Sequence, residues 1–190
     1  MSLLYRSLAL LSLLAALTAV WAVPSFEGVT NWSEAIGTLV PGMTALQALG
    51  PYGHDYTSPH FFSIDAPHGN PGNVTVKRET SPPLFYIHNG QLWHYHNGTT
   101  ILPVSVRNST ASAALPLQLS VGKGSRDAVR GGSWRWQGTM LYYEQGSASN
   151  SGAYYSCQDT NGLMGLFTFL RPSPTPPGCT LFTVHSFTRH

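Results

Sequence analysis

A chain of 190 residues with 42% hydrophobic and 12% aromatic side chains holds enough apolar material for one packed domain. Only 9% of its residues are charged and the formal net charge is +2, so it has neither the basic excess of a nucleic-acid binder nor an acidic tail. Solubility has to come from Ser, Thr, Asn and attached sugar rather than from charge.

Residues 1–22 read as a secretory signal peptide. Arg6 supplies the positive start and Leu8 to Val20 the apolar core; Val20-Trp21-Ala22 ends in a small residue, which sets cleavage after Ala22. An uncleaved anchor is the alternative, with a short apolar core for that role. No later run is long enough to span a bilayer, and Phe187-Thr188-Arg189-His190 lacks the apolar tail of a lipid-anchor signal. The expectation is a secreted, extracellular or wall-bound chain with no membrane attachment once the leader is gone.

Residues 23–60 are rich in small side chains and poor in strand-like runs, and are read as an N-terminal arm that is partly helical. The stretch 44–51, TALQALGP, predicts a short helix: Thr44 and Gln47 have capping-box spacing, and Gly50-Pro51 is a stop.

From His60 on the texture is β, and a β domain is assigned to residues 61–190. Phe61 to Ile64 and Asn73 to Val76 are strand candidates on either side of a Pro/Gly loop. Leu84 to Val106 predicts a three-stranded meander, because Asn89-Gly90 and Asn97-Gly98 separate three runs of aromatic and β-branched residues and Asn-Gly favours the type I′ turn. With two-residue loops Ile87 faces Leu92, Phe85 faces His94, and His94 faces Ile101. Both faces are then apolar, so the meander must be sandwiched or closed into a barrel. Further strands are expected at Leu115 to Val121, in a hairpin over Ser133 to Glu144, at Ala153 to Cys157, at Leu166 to Leu170 and at Cys179 to Phe187. FYIHNGQLWHY and WRWQGTMLYYE echo each other weakly. The fold class expected is all-β: a single-domain antiparallel β-sandwich or jelly-roll-like barrel, with a β-trefoil as the alternative.

Chemistry-bearing residues are few. Asn31, Asn73, Asn97 and Asn108 each open an N-x-S/T sequon, where about one or two would arise by chance, and glycans there would supply the missing hydrophilicity. Cys157 and Cys179 pair most simply with each other in an oxidising compartment. His94 and His96 have strand spacing for two metal ligands, with Asp65 or His68 as a candidate third, but nothing in the sequence places either nearby, so partly exposed histidines are the plainer reading. There is no G-x-S-x-G elbow, and Glu144 with Asp159 would be the pair of acids for a glycosidase, against solvated or turn-forming carboxylates. Trp93, Tyr95, Trp134 and Trp136 lie on predicted strands and could stack on sugar rings, or fill a core. No catalytic residue, metal or cofactor is expected.

LFYIHNGQLWHY, the segment from Trp134 and Trp136 through Leu141 to Cys157, and the late Cys179 resemble fungal secreted cell-wall proteins of the phialide-associated PhiA type and their IgE-binding-protein relatives. The resemblance covers about residues 84–190. It departs from the family pattern in lacking upstream cysteines and in the 23–60 arm. It implies a non-enzymatic secreted β protein of the cell wall or medium, with wall polysaccharide or other wall components as partners, and it supplies no catalytic residues. A soluble carbohydrate-binding module or secreted effector using surface aromatics is the alternative.

Overall fold

The computed structural model describes residues 42–50, 59–65, 72–108, 116–122, 127–158 and 162–187. The predicted signal peptide and most of the predicted arm, Asn31 included, lie outside the described residues. Among the described residues thirteen strands follow in chain order: β1 Thr44–Leu49, β2 His60–Asp65, β3 Gly72–Arg78, β4 Leu84–His88, β5 Gln91–Asn97, β6 Thr100–Arg107 and β7 Leu117–Val121. The remainder are β8 Gly132–Gln137, β9 Met140–Gln145, β10 Ala148–Ser149, β11 Ala153–Gln158, β12 Met164–Thr168 and β13 Thr180–Phe187.

All pairings are antiparallel. Eight strands close a ring in the order β13, β11, β12, β7, β6, β5, β4, β1 and back to β13. Closure removes the unpaired edges that an apolar ribbon would otherwise expose. The β2–β3 hairpin links β1 to β7 a second time, through Gln47↔Phe61 and Gly72↔Val121. The β8–β9 hairpin hangs from the ring at His185↔Met140 and touches the β4–β5 turn, where Trp134 N–H donates to Gly90 O at 2.7 Å. The two hairpins that echo each other in sequence therefore hold unequal places, one in the ring and one beside it.

One core fills the barrel. Leu46, Phe62, Phe85, Leu92, Leu119, Tyr154, Leu166 and Val184 are buried in it, and the inward face of β8–β9 adds Trp134, Leu141 and Tyr143. Alternation explains the rest: Tyr155, Cys157 and Phe167 point to the other side of β11 and β12 and pack with Ala153, Phe169 and Cys179. The predicted disulfide is present there. Cys157 and Cys179 are joined with an S–S distance of 2.05 Å and Cα atoms 4.5 Å apart.

Four expectations about strands and turns are corrected. Residues 44–49 are a strand, not a helix, and belong to the sheet rather than to an arm. β1 pairs with β13 over Ala45↔Phe187 to Leu49↔Thr183, and also with β4 and β2. Its Leu46 is wholly buried, so tertiary pairing overrides a helical propensity and a helix-like cap. Gly50 is not a helix stop: a Cβ there would stand 2.6 Å from Phe182 Cβ, so the glycine lets the chain pass close to β13. The third correction concerns the second turn of the meander. Asn89 and Gly90 have φ of 50° and 73°, as the type I′ turn requires. Asn97 and Gly98 are not in that region; β5 instead carries an extra residue between Tyr95 and Asn97. His94 therefore faces Leu102, and Tyr95 faces Ile101. This slip sends Leu102, Val104 and Val106 inward beside Leu92, and turns Ile101 outward at 37% exposure. β12 also begins two residues before the expected Leu166.

Candidate functional site

The outer face of β4–β5–β6 carries two cross-strand rows. Tyr86, Trp93 and Pro103 form one; Leu84, Tyr95 and Ile101 form the next. All six are half-buried or exposed, and none belongs to the core cluster. Strand spacing makes the surface about 10 Å wide and about 7 Å along the strands. Gln91 borders it and is fixed from behind, its Nε2 donating to Leu92 O at 2.8 Å and Val104 O at 2.7 Å. A flat aromatic surface with polar edges suits ligands that have an apolar face and a rim of hydroxyls.

The four predicted stacking residues divide. Trp93 and Tyr95 are on this outer face. Trp134 is a correction: at 3% exposure it packs against Tyr143 with ring centres 4.7 Å apart, and no ring face is left for a ligand. Trp136 lies on the same inward side of β8 and packs partly against the core. Pairing explains the split, since Trp134↔Tyr143 and Trp136↔Leu141 put both tryptophans on the face that covers the barrel. Leu84 and Tyr86 share a face with Trp93 and Tyr95 by simple alternation. Pro103 and Ile101 join them only through the extra residue in β5, for which the sequence carries no distinct signal.

The outer face of β8–β9 is polar. Arg135 donates to Glu144 from Nε at 2.8 Å and from a terminal nitrogen at 2.7 Å, and its guanidinium lies 4.7 Å from the centre of the Tyr142 ring. The bond from Arg135 holds the Glu144 carboxyl below its ordinary range, which suits an ion pair rather than a proton donor. Asp159, the other acid of the predicted pair, lies outside the described residues.

His94 is 5% exposed, with its ring 5.4 Å from Phe85 and 5.9 Å from His96. Burial, and then the neighbouring His96, lower its pKa to about 4. Its Nδ1 is enclosed and finds no partner among the described residues. Asp65, the proposed third ligand, pairs with Lys77 and accepts from Thr75 Oγ1, while His68 lies outside the described residues. Among the described residues no group of three His, Cys, Asp or Glu could hold a metal ion.

Of the sequon asparagines, Asn97 and Asn108 are exposed and Asn73 is half-buried on β3 between Asp65 and Ser120. Asn97 Oδ1 accepts from Thr99 N at 3.0 Å and from Thr99 Oγ1 at 2.9 Å. The chain matches no protein-family profile, and no curated protein or solved structure shows significant similarity to it.

Proposed function

We propose that this is a secreted, N-glycosylated, non-catalytic β protein of the cell wall or cell surface that meets wall polysaccharide through the outer face of β4–β6. The observation that carries this reading is the pair of rows Tyr86–Trp93–Pro103 and Leu84–Tyr95–Ile101, an apolar and aromatic surface directed away from the core. Supporting it are the leader-like residues 1–22, the sequons, the scarcity of charge and the PhiA-type resemblance. The Cys157–Cys179 bridge is compatible with an oxidising compartment. The closed ring supports the barrel form of the expected all-β class over an open two-sheet sandwich.

The test is retention of the full-length glycosylated protein on insoluble chitin and β-glucan. Trp93→Ala is expected to weaken retention about tenfold, the equivalent of one lost ring stack of about 1.4 kcal/mol. Arg135→Ala, on the outer face of β8–β9, is expected to leave it unchanged. Equal retention of the wild type and Trp93→Ala, or no retention of either, would remove polysaccharide contact. Recovery of the protein from the cytosol alone would remove the extracellular assignment. The second reading, a soluble effector that recognises a partner's glycan, uses the same surface; it places the protein in the medium rather than in the wall fraction.

A further inference from the structure

We propose that Asn97 carries an N-linked glycan whose first sugar lies on the ring of Tyr95, making the glycan a packed part of the β5–β6 turn. The inference rests on the secretory reading above. Three features of the turn converge on it. Tyr95↔Ile101 is the last cross-strand pair before Asn97↔Thr100, and the extra residue between Tyr95 and Asn97 widens the strand there. The Tyr95 hydroxyl reaches to 4.0 Å from the point where a Cβ on Gly98 would stand, so this half-buried ring extends along the surface to the foot of the turn. The third feature is the Asn97 amide itself. Its oxygen is held by both the N–H and the hydroxyl of Thr99, at 3.0 and 2.9 Å, which sets the side-chain torsions and leaves Nδ2 as the other end of the amide.

Asn97, Gly98 and Thr99 are all exposed, so a bulky adduct meets no protein on the solvent side. An amino sugar presents C–H bonds on one face and hydroxyls at its rim. Tyrosine offers an apolar face and a polar tip to match, and Ile101 continues the apolar surface. The turn motif needs only residues 97–99, so it can form on a nascent chain before the barrel closes. The transfer takes its sugar from a lipid-linked diphosphosaccharide. A bond forms between Asn97 Nδ2 and the anomeric carbon, the anomeric C–O bond to diphosphate breaks, the amide gives up one proton, and the lipid diphosphate departs. With Tyr95 occupied in this way, the Tyr86–Trp93–Pro103 row is the part of the outer face left for an external polysaccharide.

The experiment uses the full chain secreted from a glycosylating host. Peptide mass mapping is expected to find Asn97 occupied. Four proteins are then melted: wild type, Thr99→Ala, which cannot be glycosylated at Asn97, Tyr95→Ala, and the double variant. The wild type is expected to melt about 2–4 °C above Thr99→Ala. In the Tyr95→Ala background that increment should shrink to what the Thr99 hydroxyl bond alone contributes, and in the wild type it should survive trimming of the glycan to a single N-acetylglucosamine. Loss of the Thr99 hydroxyl bond is common to both comparisons and cancels. An increment of the same size in the Tyr95→Ala background would overturn the proposal. So would an unmodified Asn97 on a chain glycosylated at Asn73 or Asn108, which would leave the secretory reading standing. A secreted chain with no glycan at any sequon would overturn this proposal and the glycosylated part of the proposed function, whereas failure of the chain to leave the cell would overturn the secretory reading itself. Proton NMR of the wild type tests the contact without a variant: ring-shifted protons on the first sugar are expected, and unshifted ones would refute it.

Discussion

Adding a proton to His94 means charging an imidazole that is packed between Phe85 and His96, behind the barrel wall. Folded, the group titrates at about 4 because burial, and then His96, disfavour the cation; unfolded, it titrates at about 6.5. Between those values the unfolded chain holds the extra proton. Stability is therefore fully present above pH 6.5 and falls as the pH drops towards 4, by a total on the order of 3 kcal/mol from this group. Denaturant midpoints at pH 7.5 and pH 4 are expected to differ more for the wild type than for His94→Leu, which has nothing to protonate. His185 has the same sign, its pKa also lowered by burial. Thr139 Oγ1 lies 3.0 Å from its Nδ1 and Thr183 Oγ1 3.0 Å from its Nε2, a pairing that a single neutral tautomer satisfies. The face His94 occupies was readable from its alternation with Leu92. How dry that position becomes was not, because dehydration depends on strands far along the chain.

At the level of elements, the first hairpin was readable to the residue: Ile87↔Leu92 and Phe85↔His94 pair as the Asn89-Gly90 turn dictates. The next register went wrong by one residue, because Asn97-Gly98 carries the same dipeptide signal while a bulge, invisible in the dipeptide, sets the pairing. β1 misled more deeply. Its Thr44, Gln47 and Gly50 have the spacing of helix punctuation, yet each has a different use in the sheet. Thr44 Oγ1 donates to Phe187 O, Gln47 faces His185 on one side and Phe61 on the other, and Gly50 skirts Phe182. Local signals are silent about partners 143 positions away. Leu46→Ala separates the readings. In an arm it would cost almost nothing; in the core it is expected to cost about 2–5 kcal/mol, read from the urea midpoint at constant slope.

Across the whole molecule, the all-β class, most strand positions and the cysteine pair followed from alternation, turn dipeptides and cysteine count. The order of strands around the ring did not, since pairing across long separations leaves no mark on local pattern. The Cys157–Cys179 bond ties β11 to the start of β13 across a separation of 22 residues. On the chain-entropy account it contributes about 3 kcal/mol. Cys157→Ser with Cys179→Ser is expected to lose about that amount in chemical denaturation, and a reducing agent should shift the wild type towards the double variant while leaving the variant unmoved.

β1 and β13 are the first and last strands of the ring, and each is the other's neighbour along five residue pairs. β2 and β4 cover one edge of β1 early, but a ribosome must deliver Thr180–Phe187 before its other edge finds a mate. Until then every shorter nascent chain exposes an unmatched, apolar border on β1, and a chain stalled or clipped ahead of Thr180 has no means of sealing it. Synthesis of this protein is thus a prolonged wait in an aggregation-prone condition, relieved all at once by its closing segment.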